Sequence, residues 1–472
     1  MQRLLLNILK KEKDKIIYKI NNESITYDEC YKRVIELASN LKKQGNKSVI
    51  IYGQKSIEDF ISILACVIAK RCYIPIDICT PIERIKEIIL ESKASLIIKN
   101  KNIELDNIEI LTIKEINNKY KLINHGSVNE NNNAYIIFTS GSTGSSKGVP
   151  ITYDNLNHFI KWITDLEEFN NCNNLNILSQ ASFSFDLSVM DIYFSIFKRS
   201  TIIAVDKDTK ENLLNLYNVI KKEKINFLIM TPTFVKILLL DKSFNDSNFS
   251  NIKYMFFCGE CLEITTVRKI KERFRNVKVI NAYGPTEATC CVSLVEINNG
   301  MLESEYLPVG VVDTASVKIE IINGEIVLKG SSVFSGYLGV DKDTYYKENN
   351  INCYNTGDLG KIKNNFLYCS GRKDNQVKYK GYRIELGDIE NNLLKIKGIK
   401  EAVVISKNIE NTNIVKLIKA FVVVDKNINE SIIKEKLKLL LPDYMIPKKI
   451  IILDKIPVNN NGKYDRKKLT LL

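Results

Sequence analysis

Ten consecutive residues, Thr139-Ser-Gly-Ser-Thr-Gly-Ser-Ser-Lys-Gly148, are all Thr, Ser, Gly or Lys. Glycines reach the backbone conformations that turn successive N–H groups inward, hydroxyls add donors, and Lys147 supplies a mobile positive charge, so the stretch can cradle a polyphosphate. It lacks the Gly-Lys-Ser/Thr ending of a P-loop, because Ser146 precedes Lys147 and Gly148 follows it. Taken alone, the same composition also describes a flexible surface connection. Cys258-Gly-Glu-Cys261 with Cys290-Cys291 invites a zinc reading. The adjacent pair cannot easily present two tetrahedral ligands, and His125 and His158 have no motif spacing. The same Cys-x-x-Cys lacks the setting of a redox motif.

Elements must hold such a loop in place. The apolar run Tyr135 to Phe138 reads as a strand feeding it. Apolar positions at helical spacing (Cys30, Val34, Ile35, Leu37, Ala38, Leu41) predict a helix from Thr26 to Gln44, ending near Gly45. Val49 to Tyr52 follows as a strand, Ile57 to Ala69 as a helix and Tyr73 to Asp77 as a strand, and the alternation resumes from Asn155 to Val205 and Leu213 to Ile229. This argues a parallel sheet covered on both faces. From Val309 to Tyr368 strands shorten (Val317 to Ile321, Glu325 to Leu328, Phe366 to Tyr368) and glycines multiply, which predicts a small β-rich subdomain. After Arg372, helices (Ile389 to Ile396, Ile432 to Leu441) and strands (Ala402 to Ser406, Ala420 to Val424) form a compact α+β unit. The expected fold class is α/β: a large N-terminal domain of parallel-sheet subdomains with the β-rich piece, residues 1–373, and a small α+β C-terminal domain, residues 374–472.

The chain has 472 residues, 45% hydrophobic and 26% charged, which suits a soluble multidomain protein. The N-terminus has no small-residue cleavage site and no run reaches membrane-spanning length, so a cytoplasmic protein without membrane insertion is expected. Eleven scattered cysteines fit reduced thiols. Of the net charge of +13, an excess of 8 (20 Lys/Arg against 12 Asp/Glu) lies from Asp374 onward. That end can attract phosphates or an acidic protein, or form a solvated lysine-rich face, and no nucleic-acid-binding motif accompanies it.

In order along the chain stand Tyr73-Ile-Pro-Ile-Asp77, the Ser/Gly loop, Phe185-Asp-Leu-Ser188, Cys258-Gly-Glu260, Asn281-Ala-Tyr-Gly-Pro-Thr-Glu287, Tyr354-Asn-Thr-Gly-Asp358, Gly371-Arg-Lys-Asp374, Lys380-Gly-Tyr-Arg383 and Asn461-Gly-Lys463. Each is weak by itself, but their collinear combination resembles the adenylate-forming superfamily of acyl-CoA synthetases, luciferases and peptide-synthetase adenylation domains.

The resemblance implies a two-step reaction with ATP and Mg²⁺: a carboxylate attacks the α-phosphate, releasing pyrophosphate, and a thiol then takes the acyl group. It assigns the phosphates to Thr139, Ser140, Gly141, Ser142, Thr143, Gly144 and Lys147, and the nucleotide to Asn281, Ala282, Tyr283, Gly284, Asp358 and Arg372. Tyr283 would offer an aromatic face to adenine, Asp358 would accept from the ribose hydroxyls, Thr286 would donate to the α-phosphate, and Glu287 would hold the metal. Lys463 would bridge the substrate carboxylate and the phosphate, and Asp374 would be the hinge of a rotating C-terminal domain. Plain alternatives are a turn residue for Asp358 and a solvated tail charge for Lys463.

The pocket residues implied are Asp186, Leu187, Met190, Cys258, Cys290 and Cys291, with Phe256 beside them. Asp186 matches the aspartate that binds a substrate ammonium, with an N-cap as its alternative. The apolar, sulfur-bearing remainder favours a small uncharged side chain. Ser184 to Tyr193, Phe257 to Glu260, Tyr368 to Arg372 and Pro442 to Pro447 look most like the branch that loads D-alanine onto a carrier protein for lipoteichoic or teichoic acid modification. Cys290 in place of that branch's Val, and no proline before Lys147, are departures. With no carrier domain after Lys463, the acceptor is expected to be a separate acidic phosphopantetheine protein and the enzyme a monomer. A stand-alone peptide-synthetase-type enzyme for another small amino acid and a non-catalytic nucleotide sensor are the competing readings.

Overall fold

The computed structural model describes residues 1–43, 48–99, 103–105, 108–112, 132–141, 146–312, 314, 316–339, 344–408, 415–425, 428–458 and 464–472. They divide into two compact units. The first comprises Met1–Ile78, Ser92–Ile137 and Val149–Ser370; the second comprises Cys79–Glu91, Phe138–Gly148 and Gly371–Leu472.

The first unit contains the predicted α/β alternation. One sheet has the strand order Ser293–Glu296, Lys278–Tyr283, Tyr254–Phe257, Phe227–Met230, Asn176–Ser179, Thr201–Ala204, Ile16–Ile20, Glu23–Thr26. Its interior pairs are parallel and the two outermost pairs antiparallel. A second sheet runs Glu109–Leu111, Leu96–Lys99, Val49–Gly53, Tyr73–Asp77, Asn133–Thr139, Lys147–Thr152, parallel through its first five strands. Near-continuous Ile/Val runs such as Val49-Ile-Ile-Tyr52 are what a strand covered on both faces requires. The helix Ile57–Ala69 is apolar all round and buried along almost its whole length. It starts where Ser56 Oγ accepts from the Asp59 N–H and Asp59 returns the bond to the Ser56 N–H.

The β-rich region is real, but its strands do not all shorten as expected. Tyr354 to Asp358 lies inside a strand of 13 residues, Ile351–Lys363. The reading of Asp358 as a turn residue is therefore corrected: Thr356 Oγ1 donates to the Ile326 carbonyl and the Gly357 N–H to Glu325, so Thr-Gly is used within the ladder. The second unit joins the hairpin Gln376–Tyr379/Tyr382–Glu385 to a three-stranded sheet of Ile399–Asn408, Val415–Val424 and Lys449–Ile452, with helices Leu386–Leu394 and Glu430–Lys438. Ile384, Ile389, Leu393, Val404, Val422, Ile433 and Leu437 form its core. No helix among the described residues is long and apolar enough to cross a membrane.

Candidate active site

Within the first unit, two motif segments a hundred residues apart meet: Thr286 Oγ1 donates to Asp186 Oδ2 at 2.6 Å. Asp186 precedes a helical stretch, Leu187–Val189, Met190–Phe194 and Ser195–Phe197, whose middle turn is a π-helix. Its side chain makes no cap bond there, and its own backbone is already helical, so the N-cap alternative is excluded. The Asp186 side chain is partly exposed, while Leu187 and Met190 are buried beside it.

Glu287 is 0% exposed. One oxygen accepts from the Tyr337 hydroxyl at 2.6 Å, its carbonyl takes the Phe334 N–H, and Tyr337 in turn meets the Tyr354 hydroxyl. A buried carboxylate needs such partners, because an unpaired charge in a low dielectric is costly. Tyr337 was missed from sequence, since an aromatic in a glycine-bearing segment carries no signal of what it will touch.

Tyr283 ends the strand Lys278–Tyr283 and donates its hydroxyl to Asp358 Oδ2 at 2.7 Å. Burial, with Asp358 adding to it, drives the phenol pKa far up, so the tyrosine stays a donor. Asn281 spends its amide on the Pro308 carbonyl, and Ala282 is buried in the same strand. Gly284 permits close packing, because a Cβ there would lie 2.4 Å from Cys291 Cα.

Thr289 and Cys290 both adopt left-handed backbone conformations, φ 60° and 75°. Such strain costs about 1–3 kcal/mol per residue and collects at functional sites. The turn brings Cys290 and Cys291 to Cys258, whose Sγ lies 4.0 Å from the Cys290 carbonyl. The bond from Cys291 pulls the Cys290 pKa down, but burial with nearby Asp186 and Cys258 outweighs it, and the thiol is pushed up to about 12. Hydrogen bonding to Cys258 and Cys290, then burial, raises Cys291 further. Cys290 and Cys291 therefore keep their protons at neutral pH and act as small polarisable lining. Among the described residues there is no group of three potential ligands suited to a metal ion, and all eleven cysteines are unbridged.

In the second unit, the ends of the Ser/Gly loop are held by side-chain contacts. Ser140 Oγ donates to the Arg383 carbonyl and accepts the Glu385 N–H, Gly141 is buried, and Lys147 is 8% exposed with Nζ 3.8 Å from Glu385. Lys147 starts the strand Lys147–Thr152 and is held beside an acid, which corrects the reading of its charge as mobile. Thr139 closes the preceding strand. Ser142, Thr143 and Gly144 lie outside the described residues, as does Lys463. Arg372 grips Asp374 with two bonds of 2.7 Å. Burial pushes the Asp374 carboxyl up, but the Arg372 fork and the Gln376 N–H outweigh it and hold it below its usual range.

Residues 7–338 match the family of AMP-binding enzymes and residues 388–463 the AMP-binding enzyme C-terminal domain. The chain is 35% identical over 462 residues to a D-alanine--D-alanyl carrier protein ligase of Listeria monocytogenes, covering 92% of this chain and 90% of the relative. It is also 35% identical over 497 residues to the Bacillus licheniformis protein of the same name, covering 98% of each. Among solved structures, holo-PA1221, a nonribosomal peptide synthetase protein with adenylation and PCP domains, superposes with a TM-score of 0.86 at 19% identity, over 99% of this chain and 83% of the other. The Vibrio cholerae adenylation domain AlmE, in complex with glycyl-adenosine-5'-phosphate, gives 0.83 at 20% identity, over 100% and 97%. At these identities the likeness is one of fold.

Proposed function

Because the chain belongs to the AMP-binding enzyme family, we propose that it activates D-alanine with ATP as the aminoacyl-adenylate and passes it to the phosphopantetheine thiol of a separate carrier protein. The observation that carries this reading is the Thr286–Asp186 hydrogen bond. It sets a hydroxyl suited to an α-phosphate next to a carboxylate suited to an ammonium, so one amino acid can present its amine to Asp186 while its own carboxylate approaches the nucleotide. Holding both reactants in such an orientation is worth several kcal/mol of barrier.

The other roles follow from the chemistry of each group. Asp358, fixed by Tyr283, accepts from ribose hydroxyls; the loop from Thr139 to Lys147 holds the phosphates; Lys463 neutralises the two anions as they join. Glu287 is a buried oxygen donor that fits a hard divalent cation, and Mg²⁺ there would neutralise phosphate charge. Residues 374–472 act as the mobile domain, turning about Asp374 between the two steps. The relatives' names support a D-alanyl carrier protein as the acceptor, and delivery of the D-alanine to lipoteichoic or teichoic acid, from the cytoplasm, is the further use proposed. The thiol at Cys290 favours one second reading, a stand-alone adenylation enzyme for another small amino acid.

The test is amino-acid-dependent ATP–pyrophosphate exchange with D- and L-alanine, D- and L-serine, D- and L-cysteine and glycine, with Lys463→Ala as an added arm. Strong exchange with D-alanine over L-alanine, abolished in Lys463→Ala while transfer from supplied adenylate persists, supports the proposal. A preference for another amino acid moves the chain to the second reading, and no exchange with any of them overturns both.

A further inference from the structure

Behind the stretch that carries Asp186 lies a buried polar chain with no part in the chemistry above. Lys55, 3% exposed, follows the strand Val49–Gly53 in a left-handed conformation (φ 61°), with its carbonyl held by the Tyr18 hydroxyl at 2.7 Å. Its Nζ donates to the Ser179 carbonyl at 2.7 Å and to Ser179 Oγ at 2.8 Å. Ser179 Oγ then donates to Asp191 Oδ2 at 2.5 Å. Asp191 is 0% exposed, its Oδ1 has no hydrogen-bond partner, and it sits inside the π-helical turn Met190–Phe194.

Three elements are thus tied by one relay: the end of a strand in one sheet, the end of the strand Asn176–Ser179 in the other, and the turn that immediately follows Asp186 and Leu187. An apolar core of the same shape would be as stable or more so, because two buried charges lose their hydration. A single π turn within a helix commonly marks a functional position. We propose that Lys55, Ser179 and Asp191 are positioning residues that hold the Met190–Phe194 turn, and thereby aim Asp186 and Met190 at the amino acid, in a manner that depends on the relay's proton state. The role rests on the reading of Asp186 as the ammonium-binding group.

Burial drives the Lys55 ammonium down to about 7 against the attraction of Asp191, and lifts the Asp191 carboxyl to about 7 against Lys55 and Ser179. Raising the pH takes the proton from the lysine; lowering it puts one on the aspartate. Either change removes one charge from the pair, so the charged relay occupies a window around neutrality. The other ionisable groups facing it are Asp77 at the end of the strand Tyr73–Asp77, Lys210 of the helix Lys207–Glu211, Asp59 and Tyr18 near Lys55, and Cys290 near Asp191.

The experiment is the pH dependence of the amino-acid KM and of kcat in pyrophosphate exchange, for the wild type, Asp191→Asn and the double variant Lys55→Met/Asp191→Leu. The wild-type KM is expected to be lowest near neutrality and to rise about fivefold on either side, the lower end of coupling between two binding equilibria. Asp191→Asn and the double variant should flatten that profile while the KM for ATP stays put. Hydrogen exchange of the peptide spanning residues 183–197 gives a readout that needs no substrate: protection beyond the intrinsic pH effect should be least near neutrality, where the doubly charged pair is costliest, and rise on either side in the wild type, and not in the double variant. If protection behaves this way and no amino acid is activated, the relay stands and the proposed function falls. If an amino acid is activated with a KM that is flat in pH, or with the same profile in the double variant, the relay is overturned and the function stands.

Discussion

Two ion pairs shielded from water, one in each unit, are built in opposite ways. In the second unit Arg84 reaches Asp388 directly at 3.1 Å, and Asn392 satisfies the other carboxylate oxygen at 2.8 Å. In the first, Lys55 meets Asp191 only through Ser179, and one oxygen of Asp191 is left over. An arginine cannot surrender its proton in a protein, whereas a buried lysine readily does. The Arg84 pair therefore joins the helices Ile82–Ser92 and Leu386–Leu394 by a direct contact. The Lys55 pair can change state, and it lies next to residues proposed to recognise the substrate. A buried charge pair is weak evidence for stability in itself; its ligation and its neighbours indicate what it does.

The comparison can be broken most forcefully at the fixed pair. Arg84→Ala leaves Asp388 buried without its cation and should destabilise the second unit by about 3–5 kcal/mol, seen as a lower denaturant midpoint. A loss below about 1 kcal/mol would show that water or another group replaces the arginine. Next in size is Thr286→Val, which strips a hydroxyl from the Asp186 carboxylate. A bond to a charged group contributes about 1.5–3 kcal/mol, so the amino-acid KM or kcat should worsen by at least about tenfold, alongside a lower melting temperature. An unaltered rate would mean that the bond only braces the fold.

A smaller effect sharpens the contrast through pH. Lys55 has its folded pKa depressed from 10.5 to about 7, so between those values the unfolded chain binds more protons and stability rises with pH. Asp191 has its pKa raised from 3.8 to about 7, so between those values the folded chain binds more and stability falls as pH rises. Both slopes make neutrality the least favourable point for this pair. The melting temperature of Lys55→Met/Asp191→Leu relative to wild type should therefore be highest near pH 7 and decline to either side; a pH-independent difference would show that the groups do not titrate there. The smallest effect belongs to an exposed pair. Lys32→Ala removes the partner of Asp28 on the helix Tyr27–Lys43 and should lower the melting temperature only marginally, with the difference vanishing in high salt.

Much of the architecture was legible in the order of residues. The helix Ile57–Ala69 and the strand Tyr73–Asp77 lie where the apolar pattern put them, because a fully buried element needs an unbroken apolar run. The strand Ile351–Lys363 was harder to read, since Asn355, Thr356, Gly357 and Asp358 look like a turn until the Glu325 and Ile326 partners are known. At the site, residue types and their collinear order were readable, but contacts were not. Nothing local in Asp186 announces Thr286, and nothing in Glu287 announces Tyr337.

By itself, then, the sequence determined the family, the alternation of strands and helices, and the chemical types available to bind a nucleotide and a small amino acid. Those follow from periodicity and motif, which are properties of neighbouring residues. The tertiary structure alone decided that Asp186 is bonded to Thr286 instead of capping a helix, that the ends of the Ser/Gly loop are tied to Arg383 and Glu385, and that Lys55 and Asp191 share Ser179 in the core. Each of these joins residues distant in the chain, and a hydrogen bond at 2.5–3.0 Å is fixed by where packed elements cross, which no local pattern encodes.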